Sequence, residues 1–214
     1  MVFLSRHADV EAIVCHIERR IGRVHRVFQE IVSDDLHIDV YHVKSSLFRR
    51  YEVLVTSGMS AVPMAVPEGE GVPRFAEIVT VLPKGWPLTQ DAFLDERHYW
   101  PIRLMKDVAR LPYYSKTWVG FGHTFSNGSS EADIRPYADS TALCSVAILP
   151  PASLGESAWL LKRNGEDDIA FWAAVPLHLA ELKFKFENGM DALLDLFDQN
   201  GVTDRIDPER PSVV

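Results

Sequence analysis

Four short runs rich in β-branched and aromatic residues, RVFQEIV, LHIDVYHV, YEVLVTSG and FAEIVTVLP, follow one another between residues 26 and 83 with no helical stretch between them. Asp-Asp, Ser-Ser and Pro/Gly-rich breaks separate them, so they read as consecutive strands, the first three close enough for an antiparallel meander. No strand-helix-strand alternation and no internal repeat appears anywhere in the chain. The pattern therefore predicts an α+β fold with a mixed, mainly antiparallel sheet flanked by helices, rather than a doubly wound one.

Helical periodicity is confined to the stretches around this block. Val10, Ile13, Val14, Ile17 and Ile21 recur at helical spacing before Gly22, which predicts a helix over about residues 6–21. A second helix is expected to start at Pro101, bury Leu104, Met105, Val108 and Leu111, and stop at Pro112. TALCSVAILPP and DDIAFWAAVP read as further strands, and LHLAELKFKFENG and MDALLDLFDQNG as two closing helices. In MSAVPMAVPEGEGVP, Pro63, Pro67 and Pro73 exclude regular structure, leaving a long connection of the kind that carries function.

A chain of 214 residues, 47% of them hydrophobic, can bury one sizeable core, so residues 1–214 are read as a single domain. No apolar run approaches the ~18 residues of a membrane span, and MVFLSRHADV meets charge too early for a signal-peptide core; the expectation is a soluble, cytoplasmic protein. Cys15 and Cys144, with no CxxC spacing, imply neither a disulfide framework nor a zinc knuckle, and are expected to be buried reduced thiols. The net charge of −8 disfavours nucleic acid and suits a basic protein partner.

The candidate chemistry is sparse. TWVGFGHTFSNG (117–128) has Gly120 and Gly122 without GxGxxG order and without a following Lys-Ser/Thr, so it is no phosphate loop, and the chain has no GxSxG elbow. His123 stands beside Thr124 and near Ser126, yet neighbours in a strand face opposite ways, so adjacency makes no nucleophile–base pair. The glycines fit a bulge or close backbone approach, with Trp118 and Phe121 packing around them. In LHIDVYHV, His37, Asp39 and Tyr41 share one strand face; His37 and Asp39 become a metal site only with a third ligand such as His98 or His123. The carboxylates of EADIRPYADS and NGEDDI are expected to be exposed, where paired acids do no chemistry.

YEVLVTSGMSAVPM, FAEIVTVLPKGW, WPIRLMKDVAR, TWVGFGHTFSNG and ELKFKFENGMDALLDLF occur in the order and spacing of the Suppressor of fused domain family, in its single-domain bacterial form, over about residues 24–212. The resemblance implies the α+β fold of that family's N-terminal domain, no cofactor and no established enzymatic activity. The animal member is a cytoplasmic regulator that sequesters zinc-finger transcription factors by gripping a short peptide, and bacterial members are viewed as immunity proteins against polymorphic toxins. The resemblance thus implies a non-enzymatic binding protein whose partner is a basic toxin or a regulator peptide. Its peptide-gripping face corresponds to WPIRLMKDVARLPYY, where Trp100, Pro101, Leu104, Ala109 and Arg110 match and Tyr113 follows, and to the strand VGFGHTFS, where His123 matches, with Gly120 and Thr124 inside it and Trp118 just before it. Gly122 departs, since the animal motif carries an acidic residue there that contributes to the interface; a binding face is implied, not the same ligand. The other reading is a metal-dependent or histidine-based enzyme using His37, Asp39 and His123.

Overall fold

In the computed structural model, which describes residues 7–30, 35–47, 49–163, 165 and 167–214, one mixed sheet forms the middle layer. The helix α1 (His7–Arg20) precedes β1 (Val24–Phe28), β2 (Asp39–Val43), β3 (Tyr51–Ser57) and β4 (Phe75–Pro83). The long helix α2 (Glu96–Ser115) leads to β5 (Thr124–Ser126), β6 (Ser145–Leu149), β7 (Leu160–Leu161) and β8 (Ile169–Leu177), and α3 (Leu179–Asn188) and α4 (Met190–Asn200) complete the order. The sheet runs β1-β2-β3-β4-β8-β6-β5, with β7 pairing with the start of β8. Every pairing is antiparallel except β4 with β8. The meander is as expected, although residues 31–34 of its first break lie outside the described residues and β2 begins only at Asp39.

Both faces of the sheet are covered, which is why β3, β4 and β6 read as nearly unbroken apolar runs instead of alternating ones. Val40, Leu54, Ile78, Leu82, Val146 and Ile148 face α2, whose Trp100, Leu104, Met105 and Val108 complete that core. On the other face, Ile13 and Ile17 of α1 pack on Val53, Val55, Val79 and Val81. There too, Leu182, Leu193 and Phe197 of α3 and α4 cover Ala147, Val175 and Leu177. Leu104 is 3% exposed, so Leu104→Ala is expected to cost about 2–5 kcal/mol of unfolding free energy in a denaturant titration. A loss below about 0.5 kcal/mol, typical of a surface site, would show the α2 face misassigned.

Two sequence expectations need correction. The helix α2 begins at Glu96, not Pro101, because Asp95 is extended and its carboxylate accepts the Arg97 N–H while its carbonyl accepts from His98 and Tyr99. Pro101 sits in the second turn, and Pro112 sits in the last, where the left-handed Lys116 N–H closes the helix onto its carbonyl. Each proline removes only one helical hydrogen bond, and both rings are buried on the α2 side facing the sheet, so packing outweighs the break. The second correction concerns thiols: Cys144 is buried but Cys15 is exposed, on the face of α1 turned away from Ile13 and Ile17.

The proline-rich connection after β3 opens with a single tight turn, Met59–Ala61, and buries Met59 and Met64 in the α2 core. Its start is fixed by Glu77 of β4, which is wholly buried. One Glu77 oxygen accepts from the Gly58 N–H (3.0 Å), the Ser60 N–H (3.1 Å) and the Ser60 hydroxyl (2.6 Å), and the other accepts from the Thr56 hydroxyl (2.6 Å). One carboxyl thereby ties the end of β3 and the turn after it to β4. The chain end is tied in the same manner: Arg210 donates to both oxygens of Glu181 in α3 at 2.5 and 2.6 Å, with Glu181 fully buried.

Candidate binding cleft at the β5 edge

TWVGFGHTFSNG, expected to be a strand and its exit loop, is mostly irregular: only Thr124–Ser126 is strand, reached through irregular chain at 117–120 and a turn at 121–122. Gly122 lies at φ 78°, a left-handed conformation that glycine takes at no steric cost, and its N–H reaches the Ile148 carbonyl at 2.9 Å. Gly120 is buried under the Trp118 ring, where a Cβ would stand 2.6 Å from a ring carbon, so here the missing side chain makes room for the indole. Trp118 in turn packs edge-on against His123 with ring centroids 4.2 Å apart.

Beyond this turn, β5 forms one of the two open ends of the sheet, β1 forming the other. The Ile148 N–H donates to the His123 carbonyl and the Asn127 N–H to the Cys144 carbonyl, while Thr124, Phe125 and Ser126 stand opposite Ala147, Val146 and Ser145. Hydrogen bonding along a strand alternates by residue, so with His123 and Asn127 bonded to β6, the N–H and C=O groups of Thr124 and Ser126 point outward. Among the described residues no strand lies beyond β5. Such a row of unpaired backbone groups is a template for another extended chain.

The edge runs along a cleft of about 790 Å³. Leu111 of α2 lines it on one side of the sheet, and Leu179, Leu182 and Phe186 of α3 line it on the other. Phe186 is 69% exposed, unusual for a phenylalanine with a helix face to bury against. The 127–134 loop closes one end; it is pinned by the Asn127 amide donating to the Arg135 and Pro136 carbonyls and by the Ser129 and Ser130 hydroxyls donating to Asp133. Glu131 on this loop and Lys183 on α3 approach to 3.7 Å across the mouth. At the strand's beginning Lys185 donates to the Thr124 hydroxyl at 3.4 Å, and burial pulls its ammonium below the usual lysine range.

The residues singled out from the sequence divide sharply. Trp100, Pro101 and Leu104 are core residues, and Trp100 stacks on Tyr137 at 5.3 Å, so their side chains present nothing to a partner. Arg110 is engaged within the molecule: with Lys106 it holds Glu30. Burial works against the Glu30 carboxylate, but Arg110, the Ile38 N–H and Lys106 outweigh it and keep it below the usual range. Tyr113 is half-buried beneath Lys116, and Trp118, Gly122, His123 and Thr124 lie along the approach to the β5 edge. Leu111, expected to be buried, is half-buried and lines the cleft with Ser126 and the apolar side of α3; all three fall within family motifs without being singled out as site residues there. A signal for the last exists in LHLAELKFKFENG, where Leu179, Leu182 and Phe186 fall on one helical stripe, of which Leu182 joins the core with α4 while Leu179 and Phe186 are exposed.

The histidine-based set is not assembled. His37 meets Asp39 at 2.8 Å, and Asp39 also accepts the Glu30 N–H, while His123 is committed to Trp118. Among the described residues no three His, Cys, Asp or Glu side chains converge on a metal position. No helix of the described residues is long and apolar enough to cross a membrane.

Similarity to known proteins follows the architecture. The family model of the Suppressor of fused protein matches residues 34–211. No curated protein matches the chain. A Suppressor of fused homolog from Neisseria gonorrhoeae is 16% identical and superposes with a TM-score of 0.68, covering 97% of each chain. The structure of a Sufu–Fu complex gives 16% identity and 0.63 over 96% of this chain and 92% of that one. Drosophila Suppressor of Fused gives 16% and 0.63 over 96% of this chain but 51% of its own length. At such identities the three structures establish a common fold.

Proposed function

Because the chain belongs to the Suppressor of fused family, with the family model spanning most of its length, we propose that it is a non-enzymatic protein-binding domain that takes an extended segment of its partner as an added strand on β5. The observation that carries this reading is the open β5 edge lying in an apolar cleft between α2 and α3. Backbone hydrogen bonds from Thr124 and Ser126 give affinity in strand addition, and the pockets formed by Leu111 on one side and Leu182 and Phe186 on the other select alternate side chains. A family structure holding a Sufu–Fu complex is in keeping with a protein partner. The finer reading is sequestration of a toxin or a regulator in the manner of an immunity protein, and a net charge of −8 favours a cationic one by drawing it in electrostatically.

Gly122→Arg, the obvious block, strains the turn itself, because the left-handed conformation disfavours any side chain there. Ser126→Pro is the cleaner probe. The Ser126 N–H points away from β6, so proline removes an outward donor without breaking the sheet, as on natural edge strands. Peptides selected from a displayed random library against the wild-type protein are expected to bind Ser126→Pro about tenfold or more weakly in titration calorimetry, the loss of one well-made hydrogen bond plus the steric block. His123→Ala should cost under about 1 kcal/mol of the same affinity, as most interface truncations do. Undiminished binding to a folded Ser126→Pro protein would remove β5 from the interface.

A further inference from the structure

A second cleft, of about 630 Å³, opens on the opposite flank between the C-terminal half of α1 and residues 156–162. Its apolar wall is Ala12, Leu160 and Leu161, and its cations are Arg19 and Arg20 from α1 and Lys162 from the facing segment. Among the described residues none of these three has a carboxylate partner, whereas the neighbouring Arg163 is committed to buried Asp9 at 2.6 Å. Among the described residues Glu156 is the one acid on the wall, which leaves a surplus of positive charge there. That surplus is unexpected in a chain of net charge −8. Arg19 and Arg20 lie in the last turn of α1, where cations offset the helix's negative end. Lys162, on the other wall, has no such role.

His16 closes the base of the cleft, its Nε2–H donating to the Ala158 carbonyl at 3.1 Å and its ring stacked on Phe171 at 4.7 Å. Burial, with the nearby Arg20, holds its pKa below the usual histidine range against the pull of the Ala158 carbonyl. A volume of this size is typical of sites for small molecules, and three cations lining one cleft beside an apolar wall suit an anionic ligand with an apolar body. We propose that this cleft binds a small molecule bearing phosphate or carboxylate groups, gripped by Arg19, Arg20 and Lys162 over the apolar wall of Ala12, Leu160 and Leu161. The site is independent of the β5 cleft and does not rest on strand addition.

Cys15 supplies a reporter, since its exposed thiol lines the cleft while Cys144 is buried. Alkylation of Cys15 by uncharged iodoacetamide, followed by mass spectrometry, is measured with millimolar pyrophosphate, with millimolar citrate, and with sodium chloride at matched ionic strength. The expected result is slowing by about fivefold or more with pyrophosphate, citrate or both, as occupancy removes the accessible form. Pyrophosphate alone would assign a phosphate-bearing ligand, and citrate alone a carboxylate-bearing one. Arg20→Gln and Lys162→Gln alter side chains without a carboxylate partner and should fold normally by circular dichroism. Each should need about tenfold more anion for the same protection, the effect of losing one charge-assisted hydrogen bond. No slowing with either anion, slowing that sodium chloride matches, or protection undiminished in either variant would overturn the site.

Discussion

Glu77→Leu is expected to destabilise the protein by about 4–6 kcal/mol, because two backbone donors and two hydroxyls lose their only buried acceptor and each stranded N–H alone costs about 1–3 kcal/mol. The donors are the Gly58 and Ser60 N–H groups and the Ser60 and Thr56 hydroxyls, all gathered on one side chain with no exposure to water. Leucine is no smaller than glutamate, so no cavity opens and the loss reports chiefly the polar contacts. Glu77→Gln is the control. Its amide oxygen can receive Gly58 and Ser60, and only the Thr56 hydroxyl, which also accepts the Ile78 N–H at 2.8 Å, must turn; a cost near 1 kcal/mol is expected, on the order of one ordinary hydrogen bond. Burial pushes the Glu77 carboxyl above the usual carboxylate range, more than the Ser60, Thr56 and Gly58 donors pull it back. A group whose folded pKa is raised stabilises most at low pH, so its contribution declines as pH climbs past the ordinary carboxylate value. Equal loss in the leucine and glutamine variants, read by urea unfolding, would contradict the assignment.

Arg210→Ala is the second large effect, about 3–5 kcal/mol, the cost of leaving one member of a buried ion pair behind. Arg210 also donates to the Pro176 carbonyl at 3.0 Å, and the Thr141 hydroxyl holds the Pro208 carbonyl at 2.7 Å, so the substitution loosens the segment after α4 from α3 and β8. Burial alone would raise the Glu181 carboxyl, but the Arg210 guanidinium and the His178 and Val213 N–H groups outweigh it and hold it below the usual range. Here the folded pKa is depressed, so the pair's contribution is present above the ordinary carboxylate value and is lost as pH falls through the lower folded one. The gap between wild type and Arg210→Ala should accordingly be widest at neutral pH and narrow toward acid. A gap that stays constant with pH, or a loss below about 1 kcal/mol at neutral pH, would show the pair to be a surface contact in effect.

The two buried carboxylates illustrate what local sequence hides. In FAEIVTVLP, Glu77 is one polar residue in an apolar strand, and nothing nearby says that Thr56, Gly58 and Ser60 will converge on it from the next strand and its turn. The WPIRLMKDVAR motif is helical, as its periodicity predicts, and it lies within the stretch that the family model matches. Yet Trp100 and Pro101 are core as well as Leu104, whose burial the periodicity does predict, because the family motif reports which residues go together and not whether they face inward. The start of α2 lies earlier than its prolines suggest, since Asp95 caps the helix by a side-chain bond that the proline pattern obscures.

The meander, the α+β class, the closing helices and the family were all legible in the chain, since period-two and period-3.6 patterns and ordered motifs are local properties. Where the sheet ends was not. The crossover that sets β8 parallel beside β4 places β6 and then β5 outward, and that order leaves Thr124 and Ser126 unpaired between Leu111 and Phe186, residues far apart in sequence. Which backbone groups lack partners depends on long-range pairing, whose signals lie in no single stretch of residues, and so the β5 cleft became visible only once the strands were in place.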